Sequence, residues 1–227
     1  MTEIEQMRQK YLEHLQEMQD TQLRAFQQQN QYIRKGQILF TGSSLMAQFP
    51  IVEFCQIEKL PPVYNRGIGG FTTEDFLKAA DAMLLEPAPS KLFLNIGTND
   101  IRPMQDGQNW MNHLFENYRK IAQLICRYLP ETEVYLMAFY PVNSHHPNAG
   151  RNPVMSVRTN ENIAQANDML EALAWEYGFH YIDLNDCLKD PQGNLKLEYT
   201  YDGIHMSPEA YYAVFTQLRV YLKPNAA

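Results

Sequence analysis

Four short blocks hold residues whose types could do nucleophilic chemistry together. Gly42-Ser43-Ser44-Leu45 comes first, then Asn65-Arg66-Gly67-Ile68-Gly69-Gly70. Gly97-Thr98-Asn99-Asp100 follows, and Asp202-Gly203-Ile204-His205 lies near the C-terminus. Each block alone says little. A Gly-Ser-Ser turn is an ordinary helix cap, Asn-Asp is a common turn former, and a lone His among six is more often structural than catalytic. Their order and joint composition carry the signal.

Acyl transfer needs this set of parts. A Ser hydroxyl is a weak nucleophile and requires an adjacent base. A His serves if a carboxylate fixes its tautomer and stabilises its imidazolium form. The tetrahedral intermediate then needs donors aimed at its developing oxyanion. Ser44 offers a hydroxyl and a backbone N–H at a strand-to-helix turn. Gly70 offers a second N–H with no side chain in the way, and Asn99 a side-chain amide. Asp202 and His205, three apart before a helix, can meet each other and reach Ser44. Such chemistry calls for no metal and no organic cofactor.

The elements that must position these residues follow from pattern. Residues 3 to about 32 read as one long helix, uninterrupted by Gly or Pro and rich in helix formers. Ile4, Met7, Tyr11, Leu15 and Met18 make an apolar stripe that Leu23, Phe26, Tyr32 and Ile33 continue less regularly. That stripe packs on its own domain or on a second copy of the helix as a homodimer. From Gly36 on, short apolar runs alternate with helical stretches. Strands are expected at 37–41, from 63, and at 91–96, 133–139 and 180–184. Helices are expected at 72–85, 109–129, 156–177 and from Ser207-Pro208, where Ser is an N-cap and Pro sits in the first turn. Thr72-x-x-Asp75 resembles a capping box. Aromatic and Met residues at helical spacing, Trp110 and Trp175 included, read as core. Alternation of strand and helix predicts a three-layer α/β/α sandwich with a parallel sheet. Ligands bind such sheets at the carboxyl ends of the strands, and the first three blocks follow strands one to three. The division is an N-terminal amphipathic helix at 1–35 and a catalytic domain at 36–227.

Composition excludes other classes. The 227 residues carry a net charge of −7 with no basic cluster, which disfavours nucleic acid and anionic membrane surfaces. No apolar run approaches the roughly 20 residues that span a bilayer. Cys55, Cys126 and Cys187 are scattered and odd in number, against a disulfide scaffold or a cysteine zinc site. The N-terminus lacks an apolar signal core, so a cytoplasmic location is expected.

The four blocks, in this order and spacing, resemble the SGNH hydrolases, the GDSL esterase/lipase family. The segment NRGIGGFTTEDFL is similar to the branch related to platelet-activating-factor acetylhydrolase and small bacterial esterases. The resemblance runs from about Gln37 to Leu222 and implies a flavodoxin-like, five-stranded parallel sheet. It implies Ser44 as nucleophile, His205 as general base and acid, and Asp202 as the carboxylate behind His205. The oxyanion hole would be the Ser44 N–H, Gly70 and Asn99. One departure is Ser43, where the family has Asp; register with the glycine favours Ser44 as the attacking serine. Asp100 is expected to brace the Asn99 loop, Arg66 to be exposed or salt-bridged, and His145 and His146 to line a loop over the site. The expected activity is hydrolysis of short acyl esters, O-acetyl first, on small molecules or carbohydrates. A lysophospholipase, thioesterase or acyltransferase would use the same machinery. An anion-binding module on a flavodoxin-like fold is the non-enzymatic alternative.

Overall fold

A computed structural model describes residues 3–104 and 109–223. Five short strands, β1 (Ile38–Gly42), β2 (Val63–Gly67), β3 (Lys91–Asn95), β4 (Glu133–Met137) and β5 (His180–Ile182), form one sheet in the order β2-β1-β3-β4-β5. Every pairing is parallel. The expected flavodoxin-like sandwich is therefore present, and β1 and β3, which lie side by side, flank the switch point where such sheets bind ligands.

The central strands are apolar on both faces because helices cover both. On one face Phe40, Phe93 and Tyr135 stack across β1, β3 and β4 at 4.6 Å per step, with near-parallel rings. Beneath them pack α3 (Ile51–Ile57) and α7 (Pro208–Leu218). On the other face Leu39, Leu92, Leu94 and Leu136 meet α4 (Thr73–Lys78), α5 (Trp110–Tyr128) and α6 (Asn160–Tyr177). The short α2 (Ser44–Ala47) leaves the end of β1. The Thr72–Asp75 capping box is complete, and Ser207 caps α7 with Pro208 in its first turn.

Several elements differ from the expectation. α1 (Glu3–Gln29) ends before residue 32. Only its C-terminal half packs closely, through Leu15, Gln19, Leu23 and Phe26, while Met7, Tyr11, Leu12 and Met18 stay exposed. The side chain of Ile4 lies outside the described residues. The helix expected at 72–85 stops at Lys78 and resumes as a single π turn at Asp81–Leu85. Trp175 is 87% exposed and is not core; Trp110 is half-buried against the core. Arg66 is not exposed, and among the described residues it is not paired with a carboxylate. It is buried between the rings of Phe26 (4.9 Å) and Tyr64 (5.4 Å) and donates twice to Asn30 Oδ1. Among the described residues no helix is long and apolar enough to cross a membrane.

Candidate active site

The turn that carries Ser44 is shaped by close backbone approach. Gly42 ends β1 with φ +152°, and a Cβ there would sit 1.9 Å from the carbonyl oxygen of Asn95 on β3. Only glycine lets the chain turn at this point. Ser43 follows in extended conformation, buried, with its N–H donating to Asn95 O at 3.3 Å. Ser44 then opens α2. Its N–H is at a helix start, where the helix itself supplies no acceptor. Tyr211 Oη donates to Leu45 O and Asn65 Nδ2 to Met46 O, so the turn is held from α7 and from β2.

The loop 68–71 is pinned around Gly70. Ile68 N–H donates to Gly42 O at 3.0 Å, tying this loop to the Ser44 turn. Gln19 Nε2, from α1, donates to Gly69 O at 2.8 Å. Asn99 Nδ2 donates to Phe71 O at 3.0 Å. Gly70 itself has φ +78°, a left-handed conformation that its neighbours hold from both sides.

Asp202 and His205 lie on the loop before α7. His205 Nε2 is 3.1 Å from Ser44 Oγ, and His205 Nδ1 is 2.7 Å from Asp202 Oδ2. Asp202 Oδ1 accepts from the N–H groups of Ile204 and His205. Burial alone would raise the Asp202 pKa; the His205 ring and these two N–H donors outweigh it and hold the carboxylate well below its usual range. The loop is closed by Thr200, whose hydroxyl donates to His205 O and accepts from Gly203 N–H. From the loop after β4, Asn143 N–H donates to Gly203 O.

Around Asn99 the polar groups divide. Asp100 is buried. It accepts from Thr73 N–H at 3.0 Å and from the Thr73 hydroxyl at 2.6 Å, and so fastens the Asn99 turn to the start of α4. Burial raises its pKa despite those bonds. Arg158, which stands in none of the four sequence blocks, donates from Nη2 to Asn99 Oδ1 at 3.3 Å. Gln19 stands outside them too; a glutamine inside the packed stripe of α1 is its only sequence signal.

Asp202 also lines a cavity of about 530 Å³ with Tyr11, Asn148 and Asn152. This cavity is polar, and α1 contributes to it through Tyr11. Asn148 is anchored to Tyr201 O; His145 and His146 lie in the same loop, His146 Nδ1 accepting from Asn148 N–H. A separate cavity of about 510 Å³ between α1 and α3 is lined by Leu15, Met18, Phe26, Phe49 and the Gly67–Gly69 backbone.

Residues 54–213 match the model of the GDSL-like Lipase/Acylhydrolase family. Gly70, Asn99, Asp202 and His205 fall within that stretch, and Ser44 precedes it. Among solved structures, a Streptococcus pneumonia protein described as a platelet activating factor is 33% identical, with 95% of this chain and 98% of that one covered at a TM-score of 0.84. An acylhydrolase from Bacteroides fragilis is 24% identical, over 86% of this chain and 92% of that one, at a TM-score of 0.71. An acetylxylan esterase from Geobacillus stearothermophilus is 15% identical, over 85% and 98%, at a TM-score of 0.63; that likeness is one of fold. An N-acylneuraminate cytidylyltransferase of Escherichia coli is 26% identical over 188 residues, 82% of this chain. The chain spans only 40% of that curated relative's length.

Proposed function

Because the chain belongs to the GDSL-like lipase/acylhydrolase family and is a hydrolase of ester bonds, we propose that it cleaves short acyl esters, acetyl esters first, by a Ser44–His205–Asp202 triad. The observation that carries this reading is the hydrogen-bonded chain from Ser44 Oγ through His205 to Asp202, 3.1 Å and 2.7 Å long at its two links.

The reaction has two steps. Ser44 Oγ attacks the acyl carbonyl while His205 Nε2 takes its proton. The N–H groups of Ser44 and Gly70 and the amide of Asn99 receive the oxyanion. His205 then protonates the leaving alkoxide, and the acyl group remains on Ser44. Water enters, gives a proton to His205 and attacks the acyl carbon; the proton returns to Ser44 Oγ as the acid departs. Asp202 keeps His205 in the tautomer with a proton on Nδ1 and stays ionised throughout. The polar cavity of Tyr11, Asn148 and Asn152 beside Asp202 suits a small hydroxylated alcohol such as a sugar better than a long acyl chain.

A fluorophosphonate probe should label the wild type covalently and leave Ser44→Ala unlabelled. An unlabelled wild type would leave the anion-binding module as the better reading. A panel of esters of increasing acyl length should show activity falling beyond the shortest chains. Activity rising with length would overturn the acetyl preference and point to a lysophospholipase or thioesterase that uses the cavity between α1 and α3.

A further inference from the structure

The two-step scheme gives Arg158 no task, yet its placement is costly. The side chain is only 4% exposed. Among the described residues it has no carboxylate within ion-pair distance, and its enclosed Nε–H has no acceptor. Its Nη2 reaches Asn99 Oδ1. Burial pulls its pKa down to about 10, and the more distant charges of Asp100 and Asp202 oppose that pull. A buried guanidinium without direct neutralisation is expensive, and such costs concentrate where the charge is used.

Asn99 is where this charge can act. An amide presents an oxygen and an NH2 group, and its orientation is set by its partners. A cation bonded to Oδ1 fixes the oxygen on that side and directs Nδ2 the other way. One Nδ2 hydrogen is taken by Phe71 O, which leaves the second for an oxyanion. A charge-assisted bond at Oδ1 also draws electron density from the amide and makes Nδ2–H a stronger donor.

We propose that Arg158 is a positioning residue of the oxyanion hole, acting through Asn99: it fixes the amide's orientation and brings positive charge to bear on the tetrahedral intermediate. This rests on the Ser44 reading above. Direct capture of an anionic group on the substrate is a different role; the Nη2 bond to Asn99 Oδ1 points to action through Asn99, and the kinetics of anionic esters separate the two.

The test is a double-mutant cycle with a neutral acetyl ester. Arg158→Met should lower kcat about ten- to hundredfold, less than the full loss of an oxyanion donor, with KM within about twofold. Arg158→Lys should keep part of the rate. In an Asn99→Ala background the further loss from either substitution should shrink to under about threefold, because the two residues act as one unit. Losses that multiply in the double variants would overturn the proposal. So would a raised KM for anionic esters with unchanged kcat, which would mark direct substrate binding. If Arg158→Met does not fold, the cycle with Arg158→Lys separates the same two outcomes. Fluorophosphonate labelling separates the two levels: an unlabelled wild type sinks the Ser44 reading itself, whereas a labelled wild type with multiplicative losses sinks only the role of Arg158.

Discussion

Gly70→Ala is the substitution for which the structure gives the most detailed expectation. Two independent effects act on one atom. Gly70 sits at φ +78°, and an L-residue there costs about 1–2 kcal/mol. The added Cβ would also stand 2.8 Å from Gln19 Nε2 and 3.5 Å from a Leu15 methyl. The glutamine must move, which breaks its bond to Gly69 O; a neutral hydrogen bond is worth about 0.5–1.5 kcal/mol. Together these predict a stability loss of about 1.5–3.5 kcal/mol, or about 3–14 °C in Tm for a domain of this size. The catalytic loss should be larger than stability alone explains. Relief of the φ strain rotates the Gly70 peptide and takes its N–H away from the proposed oxyanion position. Losing one such donor costs roughly a hundred- to a thousandfold in kcat. The assay is steady-state hydrolysis of an acetyl ester on protein shown to be folded by circular dichroism. Adding Gln19→Ala should restore room for the Cβ but not relieve φ, so the double variant should recover part of the Tm loss. If Gly70→Ala kept kcat within about threefold while Tm fell as expected, the Gly70 N–H would not be an oxyanion donor.

Asp202→Asn keeps the shape of the proposed triad but cannot hold His205 in the same tautomer, so kcat should fall by about 10⁴ with little change in KM, read by initial rates. Arg66→Ala removes two ring contacts and two bonds to Asn30, the residue that also ties α1 to Ala82 O. It should destabilise by about 2–4 kcal/mol in urea denaturation. Trp175→Gln should change stability by no more than about 0.5 kcal/mol in the same assay, because its ring is exposed.

What can be read from the sequence and what cannot divides along a physical line. The four blocks are legible because each depends on short-range needs: a glycine where backbones meet, a serine at a helix start, an Asp and His three residues apart. The sheet is legible because buried parallel strands are short continuous apolar runs. Trp175 is misplaced when residue type is weighed above period. The buried face of α6 is Ile163, Ala166, Leu170, Leu173 and Ala174, and Trp175 falls off it. The α1 stripe reads from Ile4 to Met18, but the face that packs is Leu15, Gln19, Leu23 and Phe26, with a polar residue at its centre. Arg158 stands in no motif. It follows the loop after β4 and meets Asn99, 59 positions earlier, a contact that only the tertiary fold creates.

The two aspartates of the site differ in a way that solution pH can expose. Asp202 has a depressed pKa, because the His205 ring and two backbone donors overcome its burial. Its ionised form therefore stabilises the fold above its unfolded pKa of about 3.9, and that contribution is lost as pH falls toward the folded value. Asp100 is the reverse. Burial raises its pKa in spite of the Thr73 bonds and the nearby charges of His113 and Arg102. Its contribution is fully present below its unfolded pKa and is lost as pH rises through the folded one. Neutral isosteres remove both dependences, so each can be read as a difference in Tm from the wild type. The deficit of Asp202→Asn should narrow on going from pH 7 to pH 4 and below. The deficit of Asp100→Asn, set at neutral pH by mispaired bonds to Thr73, should widen over the same range. If both deficits moved in the same direction, the two carboxylates would share one environment, and the division between a carboxylate that serves His205 and one that only fastens α4 would fail.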